Sequence, residues 1–499
     1  MALRFSQRMC CRVMLAVVLT GAFCSQAWAL REGAKGTWGK STKVGPDAEA
    51  GGWWINLGIT GARAKIPDDQ PKILEVTYVY KSTPAYGKLA VGDKIVGVNG
   101  RAFTTPHKFG YGVDKFGYEG PMMEFGNALE ASQGPKLKGK LTVHARRGKE
   151  KLNIELTLPT KYGRFSATYP YDCKKTDIIL RECNQYLVDT QRPDGLWSGR
   201  PHLNAFATLA LMASGEPKCM PLVKKAVQAM AKGTTRELNR GGLPCWRYGL
   251  YGATLAEYYL LTGEKWVLPE LQEISDWQKL AQAPRGGWGH SPWDDSPGGK
   301  NGYGPINVLT MQAMMAWALM ERCGLPIEQK RFDAAHDFVA KGTNKIGYVW
   351  YKDGGAGNPK YADMGRTGAA ALAHYLSASG GTEYQQFARL CAGCIGENPK
   401  TFPDTHGSPI LGMVWTGLGA ATAPACLRKL MDYNRWQFAL AQCPDGTFYY
   451  QPNRDNNPQD FAAAPRLSAT AATSLILSLK NKKLQMTGAK LVVRKPLTK

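Results

Sequence analysis

A spacing repeated through the C-terminal part of the chain limits its fold more than any other feature. Glutamine is followed by glycine four residues later and by an aromatic two residues beyond that, at Gln191–Gly195–Trp197, Gln282–Gly286–Trp288 and Gln442–Gly446–Phe448. Looser copies run from Asn239 to Trp246 and from Lys345 to Trp350. Before the loops lie charged, amphipathic helical segments: Thr176–Thr190, Met220–Ala231, Pro269–Ala281, Glu328–Lys341, Glu383–Glu397 and Ala425–Gln442. After them come segments dense in Ala, Gly, Leu and Met, beginning near His202, Arg247, Pro305, Met364, Pro409 and Arg466. A helix that is apolar all round must be buried all round. Outer polar helix, loop and inner apolar helix recur at a spacing of roughly 45–60 residues, the mark of a repeat architecture. This predicts an (α/α)6 toroid over residues 173–483, with small inner residues letting six helices approach one axis.

The Gln/Gly/aromatic segments resemble the Q-x-x-x-G-x-W repeats of squalene-cyclase-like and prenyltransferase-like toroids. That resemblance implies the architecture and leaves the chemistry open, because one fold hosts many functions. Terpene cyclases of this fold use an acidic D-x-D-D cluster, whereas this chain has Trp293-Asp294-Asp295-Ser296 in a Gly/Pro-rich polar loop. Thioester toroids need C-x-E-Q, which Glu182-Cys183-Asn184-Gln185 does not supply. Prenyl transfer would need a cytosolic lipid diphosphate and a zinc site. Carbohydrate-active enzymes also use (α/α)6 toroids, with sites at the loop end of the inner helices. The loops offer His290, Asp294, Asp295, Arg366 and His406 as catalytic candidates. His202, Trp246, Arg247, Trp288, Tyr303, Tyr348, Asp353 and Arg466 are expected to line the toroid mouth. A lyase would draw a Tyr or His base and a cation from this set; a glycosidase would need two carboxyls about 5–10 Å apart. No cofactor or metal is expected.

Residues 52–160 read differently, as short strands and turns. Ile73–Tyr80 and Lys94–Val98 are strand-like, the second ending in the turn pair Asn99-Gly100, and Arg147-Gly148-Lys149 joins two further strands in a hairpin. Ser82-Thr83-Pro84-Ala85, Leu89-Ala90-Val91-Gly92-Asp93-Lys94-Ile95 and Val98-Asn99-Gly100 resemble the core of bacterial PDZ domains. The resemblance implies a carboxylate-binding loop at Asn56-Leu57-Gly58-Ile59, where a peptide C-terminus adds to a sheet edge. It also implies a helix over about Met122–Ser132. The preceding stretch Thr104–Pro121 is longer than the PDZ pattern, as if to cover the groove or dock on the other domain.

Arg4, Arg8 and Arg12, an apolar run from Val13 to Phe23 and Ala27-Trp28-Ala29 predict a secretory leader cleaved after Ala29, followed by a linker over 30–51. Phe23 before Cys24 argues against a lipid anchor. Removing the leader takes three arginines and no acid from a chain of net charge +23, leaving +20. A basic balance suits an anionic polymer, and export excludes nucleic acid and, once the leader is gone, a membrane. The nine remaining cysteines cannot all pair within one chain. Cys391-Ala-Gly-Cys394, in a helical region, reads as a local disulfide or two buried thiols. Residues 484–499 read as a basic tail. The order of leader, PDZ-like domain and toroid resembles that of secreted bacterial proteins. Two functions follow: an exported enzyme acting on an extracytoplasmic polymer, glycan or peptide, at the toroid mouth, or a non-catalytic scaffold using the PDZ groove and toroid rim. Its partners would be a peptide C-terminus or an internal PDZ–toroid contact, and an anionic polymer.

Overall fold

The computed structural model describes residues 55–67, 69–109, 116–232, 243–293, 304–354, 363–403, 409–449, 451 and 465–495. The leader, the linker, Asp294, Asp295, Tyr303 and His406 lie outside the described residues.

The N-terminal domain is an antiparallel sheet in the order β1 (Ile55–Asn56), β2 (Ala62–Lys65), β3 (Leu74–Val79), β4 (Lys94–Val98), β8 (Lys140–Arg147), β9 (Glu150–Thr157), with β5 (Arg101–Ala102) on β4. A separate ribbon pairs β6 (Lys108–Phe109) with β7 (Phe116–Gly117). Asn99 and Gly100 both have positive φ, as a tight hairpin turn of this twist demands, and Asn99 Oδ1 accepts the Thr142 N–H at 2.9 Å. Helix α1 (Pro121–Ser132) buries Phe125 and Leu129 beside Leu74, Val76, Ile95 and Leu141 of the sheet.

Beyond it the chain alternates between two rings of helices. The outer helices are α2 (Lys174–Thr190), α4 (Met220–Ala231), α6 (Leu268–Ala281), α8 (Gln329–Lys341), α10 (Gly381–Glu397) and the pair α12 (Pro424–Tyr433) and α13 (Arg435–Ala441). The inner helices are α3 (Pro201–Ser214), α5 (Pro244–Thr262), α7 (Asn307–Arg322), α9 (Gly365–Leu376), α11 (Pro409–Ala421) and α14 (Pro465–Leu477). Each inner helix packs on the next, and α14 returns to α3, closing an (α/α)6 ring. Small residues permit the approach: a Cβ on Gly368 of α9 would lie 2.1 Å from the Trp415 carbonyl oxygen of α11.

The repeated spacing proves to be a joint between repeats. Gln191 Nε2 donates to Gly195 O at 2.8 Å and to Leu222 O of the next outer helix at 2.9 Å. Gln282 Nε2 does the same with Gly286 O and Arg331 O, at 2.8 and 2.9 Å. The indoles of Trp197 and Trp288 donate back to Leu187 O and Gln278 O. Gly195, Gly286, Gly347 and Gly446 have φ between +86° and +93°, a conformation open to glycine at little cost. They lie against Lys225, Ala334, Leu390 and Glu182 respectively. The last of these contacts carries the series back to α2, the first outer helix.

Residues 484–495 pack on the toroid. Leu484 and Met486 are buried, and Arg494 N–H donates to Arg322 O at 2.8 Å, so the described part of the basic tail lies as a strap along the toroid. All nine described cysteines are free thiols, among them Cys391 and Cys394, both buried. Burial pushes the Cys394 thiol up to about 12. No described helix is long and apolar enough to cross a membrane.

Candidate functional site

The inner helices all begin at one end of the ring. There, within the first five positions of α3, α5, α7, α11 and α14, lie the partly accessible residues His202, Trp246, Arg247, Val308, Met413 and Ala469. Deeper, the inner-helix residues are buried until the last turn, and Phe206 of α3 meets Trp415 of α11 edge to face at 5.2 Å. Since α14 stands between α3 and α11 in the ring, this contact runs from one inner helix to the next but one.

Trp246 is held by a hydrogen bond from its indole N–H to His290 Nδ1 at 2.8 Å, with the rings 5.9 Å apart. That bond fixes the imidazole's tautomer: with Nδ1 accepting, neutral His290 carries its proton on Nε2 and offers a donor. Burial lowers the pKa of His290, favouring this neutral form. His202, at the start of α3, is pulled down to about 4 by burial and by Arg200. Arg247 follows Trp246 and is partly accessible.

At the second positions of α9 and α14 two buried arginines carry their own counter-ions. Arg366 donates to Asp363 Oδ2 at 2.6 Å, to Val349 O at 3.3 Å and to the Tyr348 hydroxyl at 3.4 Å. Burial works against its charge, but Asp363 and Tyr348 outweigh this and its pKa is raised. Arg466 donates to Thr447 Oγ1 at 2.8 Å, pairs with Asp445 and lies over the Tyr186 ring.

The structure brings Trp246 and His290 into contact, with Arg247 next along α5 and His202 at the second position of α3. The catalytic candidate Arg366 and the expected lining residues Trp288, Tyr348 and Arg466 are buried, with side chains at most 7% exposed. Asp353 lies on the rim in an ion pair with Arg285 at 2.9 Å. Sequence reasoning missed Phe206, Trp415, Val308 and Met413, because a helix apolar on every side gives no periodic signal for which side faces the axis. Asp445 lies within the Gln442–Phe448 repeat segment, but nothing in the chain order pairs it with Arg466. Among the described residues no three His, Cys, Asp or Glu side chains cluster to hold a metal.

Asn56, Leu57, Gly58 and Ile59 are buried where the N-terminal domain meets the toroid. Tyr118, at the end of the long Thr104–Pro121 stretch, docks there too: its hydroxyl donates to Pro403 O at 3.1 Å and its ring meets Trp436.

No curated protein matches the chain. Solved structures similar to it include the α-1,6-mannanase GH76A of Salegentibacter sp. HEL1_6, at 14% identity and a TM-score of 0.46 over 61% of this chain and 98% of that one. A GH76 α-mannanase of Bacteroides thetaiotaomicron is similar at 11% identity and 0.43, over 60% and 95%. A type II terpene cyclase from Scytonema is similar at 12% identity and 0.40, over 60% and 96%. The family described as "Domain of unknown function (DUF6288)" matches residues 176–488, nearly the whole toroid and more than half the protein, and the chain belongs to that family.

Proposed function

We propose that the protein is exported and that the toroid mouth binds and processes an extracytoplasmic glycan bearing carboxylates. The observation that carries this reading is the Trp246–His290 hydrogen bond beside Arg247. An anchored indole gives a sugar ring an apolar face, neutral His290 gives a donor, and a guanidinium matches a carboxylate with two parallel bonds. Paired-carboxylate hydrolysis is less well supplied, because Asp363 and Asp445 are each engaged by a buried arginine. A β-elimination, which needs a base and a group that neutralises the carboxylate, suits this set better. The base would come from Asp294, Asp295 or His406, in the loops outside the described residues. The N-terminal domain is in this reading a PDZ-like fold, supported by the Asn99-Gly100 turn and the helix Pro121–Ser132 over its sheet.

The test uses the chain from Leu30 with polygalacturonate and with neutral mannan, following binding by calorimetry and elimination by the ultraviolet absorbance of the unsaturated product. Polygalacturonate should bind, more weakly as salt rises. Trp246→Ala and Arg247→Ala should each weaken it about tenfold, equivalent to roughly 1.4 kcal/mol. Asp295→Ala or His406→Ala should remove turnover with the melting temperature unchanged. Binding without turnover would turn the reading into the non-catalytic scaffold; equal indifference to both polymers would end it.

A further inference from the structure

The loop expected to receive a peptide carboxylate is already filled. Asn56 Nδ2 donates to the carbonyls of Leu440, Ala441 and Gln442 at 3.0, 3.1 and 3.2 Å. These oxygens close helix α13, where carbonyls lack partners within the helix and the helix dipole ends negative. The sheet edge beside the loop is filled as well. Asn56 N–H donates to Gln451 Oε1 at 3.1 Å, and Gln451 Nε2 donates to Asn56 O at 3.2 Å and to Leu440 O at 3.1 Å. One side-chain amide thus takes both backbone positions that an added strand would use. Two glycines admit the helix: a Cβ on Gly58 would lie 2.7 Å from Ala439 O, and one on Gly126 of α1 would lie 2.6 Å from Trp436 O.

We infer that α13 is a built-in ligand of the N-terminal domain, a helix end held where an extended peptide would finish, and that this domain braces the toroid mouth instead of receiving outside peptides. The mechanical link is short. The chain leaves α13 directly into the hairpin that carries Asp445 and Thr447, and both engage Arg466 at the start of α14. The coupling to ligand binding rests on the proposed mouth site; the joint itself does not.

The experiment compares the chain from Leu30 with Asn56→Asp, which sets a carboxylate against three carbonyl oxygens, and with Gln451→Leu, which removes the bridging amide. Amide hydrogen exchange at residues 440–449 should accelerate about tenfold or more in both variants, as expected when a buried hydrogen bond is lost. Amides of α5 and α7 should be unchanged. If Asn56→Asp fails to fold, Gln451→Leu decides. A short peptide with an apolar C-terminal residue and free carboxylate should show no saturable binding to the unmodified chain. Saturable binding of that peptide, or exchange at 440–449 unchanged in the folded variants, overturns the inference. Polygalacturonate affinity should fall alongside the exchange change. If the unmodified chain does not bind polygalacturonate at all, the mouth reading fails and the exchange result still decides the brace.

Discussion

Glu257 sits on α5 toward the end opposite the mouth, 1% exposed, its carboxylate accepting the Gln485 and Met486 amide N–H groups at 3.0 and 2.7 Å. Burial outweighs those bonds and raises its pKa from an ordinary 4.5 to about 7. Between these two values the folded chain holds a proton that the unfolded chain has released. Stability from this group is therefore complete below about pH 4.5 and declines as pH rises toward 7, by at most about 1.4 kcal/mol per pH unit. Glu257→Gln should flatten that slope, read as urea midpoints across the window; an unaltered slope would assign it elsewhere. At this scale the sequence was only partly legible. Trp197, Trp246 and Trp288 end similar sequence segments, yet Trp197 and Trp288 are consumed by the repeat joint and Trp246 lies in the first turn of α5. Trp246 belongs to a copy without the Gln–Gly spacing, and its indole turns to His290. The irregular copy thus frees its tryptophan for the contact with His290, which only the positions of the ring atoms reveal.

Helix boundaries were far more legible. Met220–Ala231 was read to the residue, and the inner helices begin within about three residues of their expected starts, inside the usual uncertainty of helix ends. The exception is 425–442, expected as one helix and found as α12 and α13, broken at Asn434. Asn434 Nδ2 bonds both Leu430 O and Pro399 O at 2.8 Å, and the bend delivers α13 to the N-terminal domain. That demand comes from a partner 384 residues away in sequence, beyond any local pattern. Packing between elements also separates two helical glycines. Gly368→Ala would drive a methyl into the α11 backbone and should cost about 1–3 kcal/mol or more. Gly393 of α10 has nothing within 4 Å of a new Cβ, so Gly393→Ala should stabilise by about 0.5–1 kcal/mol through helix propensity. Denaturant midpoints of the two variants moving in the same direction would refute the contrast.

Across the whole molecule the two domains are joined by buried contacts. Lys175 pairs with Glu130 at 2% and 4% side-chain exposure, Tyr169 OH donates to Met431 O, and Arg435 donates to Phe165 O at 3.0 Å. Lys175→Met leaves the Glu130 carboxylate buried without its partner, a loss of about 3–5 kcal/mol. Tryptophan fluorescence, which reports chiefly on the toroid, and far-ultraviolet dichroism should follow one common transition displaced to lower denaturant. Two separated transitions would show that the domains unfold independently. The ring itself carries a consequence for how the chain is made. Five of its inner contacts join neighbours in sequence, but the sixth joins α14 to α3, some 260 residues apart. Until residue 477 is available the structure is an open crescent with two unsatisfied apolar ends, and closure must wait for a long loop to find itself. A chain released early would expose those ends to another copy, so in this architecture the last helix made is the clasp that keeps each molecule to itself.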